Sequence, residues 1–139
     1  MDFWDRSRTS AVEARRQGAS EIDHRLLRGT QLHKFRKGEL SRAEVCDASP
    51  ELFRVAESFG DAQQRPCPIC GEASLVNVTF AFGKGLPKMG RAVGSNGELD
   101  QIRQARESVD FYVVEVCRDC GWNFLLRKIE ERNPSAAEG

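Results

Sequence analysis

The sequence predicts an α+β fold: a helical N-terminal region, then a three-stranded antiparallel ribbon closed by paired cysteines, with a loop-helix insertion. Three observations predict it. Two Cys-x-x-Cys pairs, Cys67 with Cys70 and Cys117 with Cys120, each followed by a glycine, are separated by 46 residues. Apolar residues recur at helical spacing over the first 62 residues, between clear capping signals. After Cys70 the pattern changes to strict alternation, the mark of half-buried strands.

The chain has 139 residues, 40% of them hydrophobic and 30% charged, a balance typical of globular domains. Region 1–62 is expected to be helical with an N-terminal arm, 63–132 to be the ribbon with its insertion at 83–107, and 133–139 to fray as a tail. In the first region, Ser10 with Glu13 and Ser20 with Asp23 resemble helix starts. Ile22, Leu26, Leu27, Leu32 and Phe35 then make one stripe through about Arg36, and Gly38 is a natural stop. Ser41 with Glu44 predicts a short turn of helix. Ser49-Pro50-Glu51 predicts an N-cap and first turn, with Leu52, Val55, Ala56 and Phe59 facing inward and Gly60 ending the helix.

In the second region, Val76, Val78, Phe80 and Phe82 alternate with Asn77, Thr79 and Ala81, a strand. Residues 83–97 hold five of the twelve glycines and read as a loop. Ser95 with Glu98 opens a helix over about 97–107, with Leu99 and Ile102 inward. Strands at 109–116 and 122–129 flank the second cysteine pair.

The paired cysteines carry the chemistry. A tetrahedral zinc ion takes four thiolates at about 2.3 Å. Each pair needs a tight turn, which Gly71 and Gly121 permit and Pro68 helps preset. Cys67, Cys70, Cys117 and Cys120 are therefore expected to hold one structural Zn2+ and to leave no open coordination position. Iron bound by similar knuckles and a pair of redox dithiols are the alternatives. Cys46 makes five cysteines, an odd count that fits a reducing cytoplasm better than a disulfide framework. Its apolar, helical neighbours predict a small core residue, with a fifth ligand or redox sensor as the sharper readings. His24 and His33 lack a third ligand nearby and are expected to be solvated.

Charge excludes some classes. Lys and Arg number 21, as do Asp and Glu, which disfavours a nucleic-acid coat. Residues 1–40 carry nine basic and six acidic side chains, net +3, a mild asymmetry. The start of the chain shows no cleavage signal, and no stretch approaches the roughly 18 apolar residues of a membrane span. Gly83-x-Gly85 lacks the ending of a nucleotide phosphate loop. No convergent arrangement of nucleophile and base is visible, so a non-catalytic module is expected.

Certain segments resemble a known family. Val45-Cys46-Asp47-Ala48-Ser49-Pro50-Glu51-Leu52, Arg65-Pro66-Cys67-Pro68-Ile69-Cys70-Gly71, Tyr112-Val113-Val114-Glu115-Val116-Cys117 and Cys120-Gly121-Trp122-Asn123 are similar to a small actinobacterial family of unassigned function. Its members have a helical N-terminal part and a zinc ribbon, and the likeness covers about residues 20–130. The resemblance implies a cytoplasmic bacterial protein with zinc on the four paired cysteines, and it supplies no activity.

The functional expectation is an accessory factor docking on RNA polymerase or another transcription assembly. Phe3, Trp4, Lys84, Lys88, Arg91 and Trp122 are the candidate contacts, with cover for the metal's apolar shell as the plainer reading of Trp122. The alternatives are a ribosome- or RNA-associated zinc protein and a thiol or iron redox protein.

Overall fold

In a computed structural model the described residues are 19–132. The capping pattern at Ser10, the arm with Phe3 and Trp4, and the tail at 133–139 lie outside them. One antiparallel sheet of six strands dominates the rest. β1 (Ser20–Asp23) leads into α1 (Arg25–Arg36), α2 (Arg42–Val45) and α3 (Pro50–Phe59). Then come β2 (Asp61–Ala62), β3 (Leu75–Phe82), β4 (Arg91–Val93), α4 (Asn96–Gln104), β5 (Ser108–Cys117) and β6 (Asn123–Arg132). The order across the sheet is β1-β6-β5-β3-β2, with β4 also paired to β3.

This corrects the expected fold class. The chain is not a helical region followed by a three-stranded ribbon. β1 and β2 both come from the stretch read as helical, and each joins the sheet. The physical reason is edge pairing. The ten-residue strand β6 offers an edge that Ser20–Asp23 fills, opposite Arg127–Glu130. Those ladder hydrogen bonds outweigh the weak helical preference of four residues. Asp23 does signal a helix start, but for the next residues: its carboxylate accepts from the Arg25 backbone N–H at 2.9 Å, and α1 begins there.

The other capping signals work as read. Ser41, Ser49 and Ser95 accept from the N–H groups of Glu44, Leu52 and Glu98. Pro50 opens α3 and Gly60 closes it. The loop at 83–97 is more ordered than its glycines suggest. Arg91, Ala92 and Val93 pair with Ala81, Phe80 and Thr79, and the Arg106 guanidinium donates to the Lys84 carbonyl at 2.9 Å.

The sheet has two covered ends. On one face, α4 buries Leu99 and Ile102 against Phe111, Val113, Leu126 and Ile129. Further along, Leu32 of α1 packs with Leu75, Cys117 and Trp122 around the cysteine end. On the other face, α3 lays Leu52, Val55 and Ala56 over Val76, Val78 and Val116. A bulge in β6, between the partners of Val113 and Val114, leaves Leu126 as the extra residue. No helix among the described residues is long and apolar enough to cross a membrane.

Candidate metal centre

The two cysteine pairs end up together because β3 is paired to β5 over its full length. Leu75 lies opposite Cys117, so the loop before β3 and the turn after β5 meet at one end of the sheet. The Arg118 backbone N–H donates to the Ser74 carbonyl at 3.0 Å and binds one turn to the other.

Each turn closes on its own backbone. The Gly71 N–H donates to the Cys67 carbonyl at 3.0 Å, and Gly121 does the same to Cys117 at 3.1 Å. Both glycines have positive φ, +78° and +90°. At Gly121 a Cβ would also sit 3.1 Å from the Cys46 carbonyl oxygen and 3.2 Å from the Phe53 ring.

The Sγ atoms of Cys67, Cys70, Cys117 and Cys120 all lie within 4.8 Å of one another. Cys67 and Cys120 are 3.7 Å apart, and Cys70 and Cys117 are 3.6 Å apart. A tetrahedral ion with metal–sulfur bonds of about 2.3 Å needs sulfur–sulfur edges of about 3.8 Å. The four cysteines therefore fit one metal ion, and the set is complete without another ligand. Backbone N–H groups point at the sulfurs as a thiolate site requires. Ile69 donates to Cys67 at 3.4 Å, Asp119 and Cys120 to Cys117 at 3.4 and 3.5 Å, and Trp122 to Cys120 at 3.4 Å. Burial pushes the Cys67 thiol up to about 11, against those N–H donors. At Cys117 burial also raises the thiol, but the N–H groups of Cys120 and Asp119 and the neighbouring sulfurs outweigh it and hold the group below its ordinary value.

Trp122 walls this end from inside. It is 1% exposed, so its ring faces the core and not the surface. It stacks on Phe124 with centroids 6.0 Å apart. Its indole Nε1–H donates to Glu115 Oε1 at 2.8 Å. Glu115 is wholly buried, and sequence reading passed it over. Arg28 of α1 donates to it through Nε at 2.8 Å and Nη2 at 3.3 Å, and Arg65 through Nη2. Burial alone raises this carboxyl, but Arg28, Arg65 and the indole N–H together hold it below the ordinary carboxylate range. One acid thus ties together α1, the segment entering the first turn, β5 and the residue after the second turn. A second buried pair, Arg103 to Glu131 at 3.0 and 2.8 Å, fastens α4 to the far end of β6.

Cys46 packs against the core cluster at the cysteine end, in keeping with a small core residue, and it also touches the cysteine group. It is half-buried at the end of α2, and its thiol donates to Cys120 Sγ at 3.4 Å. The Ala48 N–H also donates to the Gly121 carbonyl at 3.1 Å, and Asn123 donates to Asp47 at 2.9 Å. The α2–α3 connection is thereby laid against the second turn. His33 is exposed, and His24 is half-buried beside β6, donating its backbone N–H to the Leu126 carbonyl at 2.8 Å. Of the loop cations, Lys84 and Lys88 are exposed, while Arg91 is ion-paired with Glu98.

The family model described as "Family of unknown function (DUF5318)" matches residues 13–136. The chain belongs to that family. An uncharacterized protein of Mycobacterium tuberculosis is 34% identical over 106 residues, covering 76% of this chain and 77% of its own length. An uncharacterized protein of Mycobacterium bovis matches to the same extent. No solved structure matches the chain. The DUF5318 chain thus has relatives in mycobacteria, in keeping with the actinobacterial resemblance read from its motifs.

Proposed function

We propose that this DUF5318 chain is a zinc-clasped binding module that docks on a protein partner of the transcription machinery, with RNA polymerase as the first candidate. The metal is zinc and its role is structural: the ligand set is all thiolate and closed, which suits an ion that holds a fold together. The observation that carries the docking reading is an apolar group beside a sheet edge. Ile22 is 48% exposed, Leu26 89% and Leu27 58%, at the junction of β1 and α1. β6 is the one strand paired to β1 among the described residues, so the outer edge of β1 lies beside those side chains. An edge strand flanked by exposed apolar groups is a common template for adding a partner's strand. The neutral charge balance, 21 against 21, favours a protein surface over bare nucleic acid.

A second reading, association with ribosomal RNA, draws on the exposed Lys84 and Lys88. One experiment separates the two. The tagged protein is recovered from cells, treated with nuclease, and its companions are identified. Polymerase subunits that survive nuclease, and that are lost with Ile22→Ser/Leu26→Ser, support the transcription reading. Ribosomal proteins recovered only with intact RNA support the second. Recovery of neither set contradicts both. The same purified sample distinguishes zinc, which is colourless, from iron bound by four thiolates, which absorbs in the visible.

A further inference from the structure

The fifth cysteine is placed for chemistry that the four-cysteine centre does not need. Cys46 Sγ is 3.4 Å from Cys120 Sγ, closer than Cys70 is to Cys117 or Cys67 to Cys120, at 3.6 and 3.7 Å. Both sulfurs of this pair are also within reach of solvent: Cys67 and Cys117 are buried, at 3% and 0%, whereas Cys46, Cys70 and Cys120 are half-buried. Within the second turn, Cys120 takes one backbone N–H, from Trp122, against two on Cys117.

We propose that Cys46 and Cys120 form a peroxide-responsive modification site, in which Cys46 resolves an oxidised Cys120 as a disulfide and so removes one ligand from the metal. In the first step the Cys120 thiolate attacks one oxygen of a hydroperoxide, hydrogen peroxide in the simplest case. The O–O bond breaks, hydroxide leaves and is protonated by solvent, and Cys120 becomes a sulfenic acid. In the second step the Cys46 sulfur attacks the Cys120 sulfur. The S–S bond forms, the S–O bond breaks, and the departing hydroxide leaves as water with the Cys46 proton. Two thiols have lost two electrons, and one peroxide has become two oxygen atoms at the level of water. The sulfurs need to close from 3.4 Å to about 2.05 Å. Cys46 caps the four-residue helix α2 and begins the connection to α3, so a short segment carries that shift.

The consequence is local. With Cys120 in a disulfide, three thiolates remain, and the ion loses the closed shell that holds the two turns together. The Ala48 and Asp47 contacts to the second turn keep Cys46 in reach throughout. The device is independent of which partner the sheet edge binds.

The test uses the purified metal-loaded chain and hydrogen peroxide, with a chromophoric chelator to follow metal release. Trypsin cleaves after Arg118, which puts Cys117 and Cys120 on separate peptides, while Cys46 lies on a third. The expected result is a cross-link between the Cys46 and Cys120 peptides that grows in step with metal release. In Cys46→Ser, metal release should be several-fold slower, and a dimedone-type probe should trap Cys120 as sulfenic acid. Disulfides confined to the four ligand cysteines, or equal release rates in the two proteins, would overturn the assignment. Peptide mapping of the wild-type chain decides the point whether or not the variant folds.

Discussion

The Trp122 indole N–H and the Glu115 carboxylate meet at 2.8 Å in the interior, where Glu115 is wholly buried. This contact joins the second cysteine turn to the middle of the sheet. Arg28 and Arg65 complete the arrangement from two other segments. Breaking a buried pair by removing one partner leaves charge without compensation, at about 3–5 kcal/mol. Glu115→Ala is therefore expected to lose about that much in urea unfolding of the metal-loaded chain. A loss of less than about 1 kcal/mol would mean that the two arginines find solvent instead.

Cys67→Ser and Cys117→Ser each remove one thiolate from a closed set. Metal-coupled folding contributes about 10 kcal/mol or more in small zinc domains. Both variants should bind metal poorly and melt at clearly lower temperature, whereas Cys46→Ser should keep the metal in reducing buffer. Elemental analysis and thermal unfolding check both halves of this expectation.

Two glycines should respond in opposite directions to the same substitution. Gly121→Ala places a side chain at φ +90° and 3.1 Å from the Cys46 carbonyl. The left-handed region alone costs a non-glycine residue about 1–2 kcal/mol, so destabilisation by at least that amount is expected. Gly29→Ala lies in α1 with nothing within 4 Å of the new Cβ. It should stabilise by up to about 1 kcal/mol through helix propensity. Chemical unfolding of the two variants gives the comparison.

Ser49 and Ser95 cap α3 and α4 with side-chain oxygens 3.1 Å from the N–H groups of Leu52 and Glu98. Each Ser→Ala change should cost about 1 kcal/mol. Equal stability of either variant with the wild type would show that solvent replaces that cap.

What the sequence revealed follows from which interactions are local. Caps at Ser41, Ser49 and Ser95 act within three residues, and alternation in β3 and β5 is written along each strand. The cluster of four cysteines was legible because each pair is a local turn with its own glycine. β1 and β2 were not legible. Ser20–Asp23 contains one apolar residue, Ile22, and is a strand because β6 lies beside it, more than a hundred positions later. Asp61–Ala62 is too short to alternate. Glu115 carries no local signal of burial, since its partners Arg28 and Arg65 lie 87 and 50 positions away. For Trp122 the sequence leaves two readings, a partner contact and a cover over the metal's apolar shell, and its burial with Cys67 and Cys117 decides for the cover. Cys46 was read from helical neighbours, and its sulfur partner lies 74 positions away.

We propose that Cys67, Cys70, Cys117 and Cys120 hold one structural zinc ion. Zinc K-edge absorption on the chain purified without added metal, together with its metal content, tests it most directly. One zinc per chain is expected, bound by four sulfurs at about 2.3 Å. A different metal, nitrogen or oxygen in the coordination shell, or a metal-free chain that keeps its fold would contradict it.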